Sequence, residues 1–348
     1  MTVKQTLTPL SASRISTAKG CSWRYWCNYG LKLPDGTNDG SSRGSVCHTI
    51  FEVLGNKRHI KHYDKIIAEQ DIFASGAVKR LVLKHAKNLE VDDHENFKMI
   101  REMILNGLNY DFFGQSMGEL TYSASELDFD LTHEDNEIKY RIKGFIDKIF
   151  IFDGGKRCLI RDFKTSKKKY DDEEFKDNGQ NLMYCLAVTH LFPEVKESCA
   201  EFLFLKPELF AEGPQRSEVL TKEELEGFEV YLTRAQRYID NFTEESATKH
   251  LAKNRGYPKS GFSGALMCGY AKYPGHIKPA TGEPYWHCPF KFGFDYYRVE
   301  TTDGKFVKNI SAQNILDLDF KDSDKYKVIR KRYHGCPAFN KKYSAPPV

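Results

Sequence analysis

The chain has 348 residues, of which 40% are hydrophobic and 13% aromatic, a globular composition that excludes an intrinsically disordered chain. Its 52 basic and 48 acidic residues leave a net charge of +4, so any contact with a polyanion must come from local basic patches. No apolar run reaches the roughly 20 residues needed to span a membrane, and "MTVKQTLTPLSASRIS" has no apolar signal core, so a cytoplasmic chain with no membrane partner is expected. Nine cysteines, an odd count in a chain this long, point to thiols or a few metal ligands rather than a disulfide framework.

Apolar spacing predicts helices over 13–29, 43–57, 62–88 and 93–112. In the second, Val46, Ile50, Val53 and Leu54 recur at helical period; the last opens on the acidic "DDHENF". The period then changes to two. "SELDFDL" (125–131) alternates, with Glu126, Asp128 and Asp130 on one face and Leu127, Phe129 and Leu131 on the other. "THEDNE" reads as a turn, 138–152 as a long strand, "DGGK" as a tight hairpin and 157–165 as a third strand. A buried helix over 173–192, a strand over 199–207 and a charged amphipathic helix over 222–247 follow. From about 252 the chain is rich in Gly, Pro and Tyr and gives no clear period. The order describes an α/β layered core with helices before and after it.

"RDFKTSKKKY" (161–170) raises the question of chemistry. On a strand, Asp162 and Lys164 share a face, and the short hairpin brings Asp147 to the same end of the neighbouring strand. Two carboxylates are the minimum for holding Mg²⁺ or Mn²⁺ with room left for water and a phosphate oxygen, and a lysine beside them can steady an attacking hydroxide. A plain Asp–Lys surface pair has the same spacing. Gln180 and Tyr184 stack at i and i+4 on the following helix, as a polar edge of a buried helix also would. Gly44 and His48 lie on an early helix, where His48 could equally be a satisfied core histidine. The lysines of "KTSKKK" and "KYKVIRKRY" form basic patches or simply solvated faces.

Taken in order, "RGSVCH" (43–48), "GFID" (144–147), "DFKT" (162–165) and "QNLMY" (180–184) resemble the PD-(D/E)XK nuclease superfamily and, within it, the RecB-type branch. That branch carries G-x-x-x-H, G-x-x-D, D-x-K-T and Q-x-x-x-Y on these elements, and the resemblance covers about 43–206. It implies a restriction-endonuclease-like fold: a central mixed sheet flanked by helices, with N-terminal helices and an irregular C-terminal extension. It implies that His48, Asp147, Asp162 and the carbonyl of Phe163 hold metal, that Lys164 positions water, and that Gln180 and Tyr184 hold the site and the DNA backbone. Glu126 matches a glutamate these nucleases carry before the core hairpin. The corresponding division is a helical region at 1–115, a nuclease core at 116–210, and a Cys- and aromatic-rich region at 211–348 packed on the core.

"LSASRISTAKGCSWRYWCNY" is similar to the opening segment of the same branch, with Ser22 where proline is usual. In iron–sulfur members, which include CRISPR adaptation and AddB-type nucleases, the equivalent of Cys21 joins three C-terminal cysteines around a 4Fe–4S cluster. Cys268, Cys288 and Cys336 are the candidates here, although nineteen residues separate the first two and the third lies 48 positions further on, in place of the compact family spacing. Buried core thiols are the other reading.

The resemblance implies a Mg²⁺- or Mn²⁺-dependent deoxyribonuclease, an exonuclease before an endonuclease, acting on single-stranded or free-ended duplex DNA. Recombination, repair or phage genome processing would be its setting. A nucleic-acid-binding module without chemistry is the rival, and intact Asp147, Asp162 and Lys164 speak against it. No G-x-x-x-x-G-K-[ST] motif occurs, so any unwinding would need a helicase or recombination partner. The helices of 13–112 and the aromatics Tyr270, Tyr273, Tyr285, Trp286, Phe290 and Phe292 could wall a path for a threaded strand, or be ordinary core.

Overall fold

The computed structural model describes residues 6–36, 38–252, 268–311 and 325–340. These divide into two units, each assembled from two stretches of chain: Met1–Ala12 with Thr37–Asp240, and Ser13–Gly36 with Asn241–Val348. Helices α1 (Ala12–Gly20) and α2 (Ser22–Tyr25), then a π-helical turn over Trp26–Gly30, lie almost wholly in the second unit.

The first unit begins its helical layer with α3 (Asp39–Gly55), whose N-cap Asn38 accepts the Ser41 N–H. The single helix expected over 62–88 is two, α4 (Ile60–Glu69) and α5 (Gly76–Asn88). Gln70 takes a left-handed φ of 49°, and Asp71 and Ser75 each turn a side chain onto a backbone N–H two or three residues ahead. Those local bonds compete with helix continuation and win. Helix α6 (His94–Asn109) starts at Asp93, which caps Asn96.

Next come β1 (Leu120–Glu134), β2 (Lys139–Phe152) and β3 (Arg157–Lys164), an antiparallel meander. The helix expected over 173–192 is also two, α7 (Asp172–Lys176) and α8 (Gly179–Leu191), because Asn178 caps the N–H groups of Gln180 and Asn181 and restarts it. Strand β4 (Glu197–Phe204) returns parallel to β3, with α8 as the crossover. After α9 (Pro207–Ala211), the short β5 (Gln215–Arg216) pairs antiparallel with β4, giving a mixed five-stranded sheet of order β1-β2-β3-β4-β5. Helix α10 (Lys222–Asp240) closes the unit. Leu10 joins β2 by a parallel bridge to Ile142.

The sheet is covered on both faces, so its central strands are apolar on both. One face packs Phe163, Leu203 and Leu205 against Phe51 of α3, Met103 of α6 and Phe112. Arg161 on this face is fully buried with Glu201 at 2.7 Å, and its guanidinium also donates to the carbonyls of Tyr110 and Asp111 just beyond α6. Those carbonyls would otherwise be orphaned at a helix end. The opposite face carries Cys158, Ile160 and Asp162 toward α8, and it is here that the polar residues gather.

The second unit contains α11 (Glu244–Ala247) and, where no regular structure was expected, three antiparallel strands: β6 (Phe294–Thr301), β7 (Phe306–Ser311) and β8 (Tyr326–Tyr333), in the order β7-β6-β8. Nearly every residue of β6 is half-buried, so alternation, the signal that betrays a strand, is missing. "KYKVIRKRY", read as a basic patch, is mostly β8. Cys27, Leu33, Phe290 and Tyr333 form a small core there. No helix among the described residues is long and apolar enough to cross a membrane.

Candidate active site

The β2–β3 ladder ends at Lys148↔Arg161, and one step further the register sets Asp147 beside Asp162. The strands part at that point. Instead of a ladder bond, the Phe163 N–H donates to Asp147 Oδ2 at 2.8 Å, which fixes the carboxylate. Gly44 lets α3 approach, because a Cβ there would lie 2.8 Å from Thr165 Oγ1. One turn later His48 Nδ1 stands 3.4 Å from Asp147 Oδ1. Gly144 likewise leaves room for the Phe129 ring across the β1–β2 pair.

Glu126 enters the site through its backbone. It sits between the rungs Ser125↔Lys148 and Leu127↔Ile146, yet has φ 50°, a left-handed conformation costing on the order of 1–3 kcal/mol for a residue with a side chain. Its Oε1 lies 4.0 Å from His48 Nδ1. His48, Glu126 and Asp147 thus bring one ligand atom each within 4.8 Å of one another.

Asp162 belongs to a second, adjoining network. It is 3% exposed. Gln180 Nε2 donates to its Oδ1 at 2.6 Å and also lies 2.7 Å from the Tyr184 hydroxyl. Lys164 Nζ donates to Gln180 Oε1 at 2.7 Å and lies 2.7 Å from Asp162 Oδ2. Asp162 Oδ2 nonetheless receives no well-angled hydrogen bond, only the charge of the ammonium. The ammonium lies over Phe202, whose ring centroid is 5.1 Å from Nζ. Phe202 escaped the sequence reading, yet its signal was available: parallel pairing sets it opposite Asp162.

Electrostatics tie the two networks together. Burial, reinforced by the Asp147 charge, pushes Glu126 up to about 7. Burial would lower the pKa of His48, but Asp147, Asp162 and Glu126 override it and raise the imidazole to about 9. Asp162 is raised by burial and by Asp147, against the pull of Lys164. Burial and the surrounding carboxylates raise Tyr184 too, so its hydroxyl stays protonated. Three carboxylates packed this closely demand protons or a cation. The buried, unbonded Asp162 Oδ2 and the converging His48, Glu126 and Asp147 atoms are oxygen-rich donors that fit a hard divalent ion. Of the expected metal-binding residues, His48 and Asp147 lie together; Asp162 adjoins them but is turned toward Lys164 and Gln180, with Glu126 completing the trio.

In the second unit, Cys21, Cys268, Cys288 and Cys336 line one small hollow with Trp23 and Phe290. Cys288 N–H donates to the Cys268 carbonyl at 3.2 Å. Burial pushes the Cys288 thiol up to about 11 and the Cys336 thiol up to about 12. Of the six aromatics singled out in this region, Phe290 is fully buried while Tyr270, Tyr273 and Trp286 are more than half exposed.

The sequence model of the PD-(D/E)XK nuclease superfamily matches residues 9–271, most of the chain. The chain belongs to that superfamily: it is a nuclease of a class that hydrolyses nucleic acids with divalent metal, and its mixed sheet flanked by helices has the restriction-endonuclease-like fold. No curated protein sequence matches it. Among solved structures it is similar to a protein described as "Putative exonuclease" from Eubacterium rectale, at 13% identity and TM-score 0.40, over 73% of this chain and 94% of that one. It is also similar to SSO0001, at 15% identity and TM-score 0.24, over 47% and 72% of the two chains. A third is VC1899 from Vibrio cholerae, at 12% identity and TM-score 0.22, over 66% and 58%.

Proposed function

We propose that this chain is a RecB-type, metal-dependent DNA exonuclease that hydrolyses phosphodiester bonds from free ends by direct attack of water. The observation that carries the chemistry is the junction of Asp147, Asp162 and Lys164, with Gln180 donating to Asp162 and accepting from Lys164. His48, Asp147, Asp162 and the Phe163 carbonyl, with Glu126 beside them, would hold Mg²⁺ or Mn²⁺. When bound, the cation offsets charge on the scissile phosphate and makes water more acidic. Asp162 holds the Lys164 pKa above its ordinary value against burial, so the ammonium remains a donor to the attacking water and to charge developing on phosphate. Gln180 bridges Lys164 and Asp162, and Tyr184 anchors Gln180.

Replacing Asp162 with Asn preserves shape and removes one of the charges that hold the cation. Cleavage of labelled single- and double-stranded oligonucleotides should fall by at least about a hundredfold, in Mg²⁺ and Mn²⁺ alike, and chelator should abolish it in the unaltered enzyme. Binding should persist or strengthen, because a carboxylate facing phosphate is repulsive. Full activity in a folded Asp162→Asn protein would remove the proposed site.

The four converging thiols support a 4Fe–4S cluster in the second unit, since four thiolates are the ligand set it requires. Metal would release the protons that burial otherwise keeps on Cys288 and Cys336. Anaerobically purified protein should contain iron and inorganic sulfide in equal amounts, and Cys288→Ala should lose both. Zinc in place of iron and sulfide would reassign the site.

A further inference from the structure

At the other end of the β1–β2 hairpin, a second group of metal-competent side chains converges within the first unit. His133 near the end of β1, His190 in the last turn of α8 and Glu229 in α10 bring one ligand atom each within 4.8 Å of one another. His133 Nδ1 stands 3.8 Å, and His190 Nε2 4.0 Å, from Glu229 Oε1. The group is remote from the nuclease site: Tyr140, the cross-strand partner of His133, precedes Asp147 by seven residues, about 23 Å along β2.

Two of the three side chains are braced from behind. Asp135 Oδ2 lies 3.2 Å from His133 Nε2, while Asp135 Oδ1 accepts the N–H groups of Glu137 and Ile138 at 2.8 and 2.7 Å and so is fixed by its own turn. With the His133 proton directed at Asp135, Nδ1 presents a lone pair toward the Glu229 carboxylate, and two acceptors face each other. Tyr140 is fully buried and stacks on His133; it donates its hydroxyl to Glu229 Oε1 at 2.7 Å, and the hydroxyl oxygen lies 3.2 Å from His190 Nε2. A metal-free hydrogen-bonded tie between β2, α8 and α10 would need only Tyr140, His190 and Glu229. It gives no reason for a carboxylate on the far nitrogen of His133, the arrangement by which proteins aim an imidazole at a metal.

We propose that His133, His190 and Glu229 form a binding site for a first-row divalent cation of Zn²⁺ type, which ties β1, α8 and α10 together. Two imidazoles and one carboxylate suit such an ion and leave a fourth position to solvent. Bonds of about 2.0–2.1 Å place tetrahedral ligand atoms about 3.3 Å apart, so each imidazole must close on Glu229 by about 0.5–0.7 Å. Because α8 opens with Gln180 and Tyr184 and ends with His190, an ion here anchors the helix that positions the nuclease network.

The test uses Co²⁺ as probe on the full chain in excess Mg²⁺. His190→Gln should bind one equivalent fewer Co²⁺ than the unaltered protein, and the missing equivalent should show visible d–d absorption without thiolate charge transfer. Asp135→Asn should keep that equivalent with affinity lowered about 10–100-fold. His48→Gln, which alters the nuclease site, should retain it and should show paramagnetically shifted imidazole resonances from His133 and His190, a readout that stands even if His190→Gln fails to fold. Equal Co²⁺ stoichiometry in folded His190→Gln and unaltered protein, or no shifted imidazole resonances in Co²⁺-loaded His48→Gln, would overturn the proposal.

Discussion

Lys164 holds its ammonium 2.7 Å from two oxygens at once, Asp162 Oδ2 and Gln180 Oε1. A charge so placed acts on the reacting phosphate and does little to gather DNA from solution. Lys164→Ala should therefore lower single-turnover cleavage far more than affinity. The following lysines differ from it and from one another. Lys167 and Lys168 are exposed, whereas Lys169 donates to the Gly213 carbonyl at 2.7 Å and pairs with Glu212 at 3.1 Å. Removing Lys167 and Lys168 should weaken binding and reduce the salt slope by about one for each phosphate no longer neutralised, leaving chemistry nearly intact. Lys169→Ala should act on the loop instead. Binding titrations at several salt concentrations beside single-turnover rates separate these outcomes, and equal losses of chemistry from Lys164 and from the Lys167–Lys168 pair would mean a basic surface rather than a catalytic strand. The residues at this scale were legible because short spacings within one strand or helix define them. Glu126 was legible as a residue but not as a geometry, since a positive φ in a glutamate follows no propensity. His133, His190 and Glu229 share no local spacing at all.

Elements were legible in kind and less so in extent. Three of the long predicted helices break where a polar side chain caps the backbone: 62–88 at Asp71–Ser75, 173–192 at Asn178 and 222–247 at Thr243, where α11 restarts after α10. The residues for those caps stand in the sequence, but apolar period outweighs them when read over a long window. The tail strands were missed for the opposite reason, their half-buried faces having no period to read. Strand β2 offers a test of its own buried face. Lys148 is 2% exposed with Nζ 3.6 Å from the Phe112 ring centroid, and burial, then Arg161, pull its pKa down to about 7. In an unfolded chain the value is about 10.4, so between roughly pH 7 and 10 the unfolded state holds more protons and stability rises with pH. Below that window the lysine is charged in both states and the full cost of burying it, on the order of a few kcal/mol, is present. Lys148→Met should raise the melting temperature at pH 6, and the gain should shrink toward pH 10. Thermal unfolding at three pH values checks this, and a loss at pH 6 would show that the aromatic cage more than offsets burial.

For the molecule as a whole, the proposed preference for free ends has a direct assay. Tyr270, Tyr273 and Trp286 present exposed rings, and base–aromatic stacking is worth about 1–3 kcal/mol per base, favouring unpaired strands and frayed ends over closed duplex. Linear duplex should be degraded progressively and covalently closed circles spared. Trp286→Ala should weaken binding of single strands. Rapid nicking of the circle would favour an endonuclease while leaving the metal site standing.

The second unit is built from two stretches far apart in sequence, and this has a consequence for synthesis. Trp23 Nε1 donates to the Tyr333 hydroxyl at 2.7 Å, and Cys27 and Leu33 share a core with Phe290 and Tyr333. A ribosome adding about 5–20 residues per second reaches Tyr333 roughly 15–60 s after Gly36. The stretch Ser13–Gly36 must wait that long, apolar side chains uncovered, while Thr37–Asp240 between its two halves already has every strand and helix of its own sheet. The nascent chain therefore carries an exposed adhesive segment until Tyr333 has been made, and this interval is when a chaperone would have most to do.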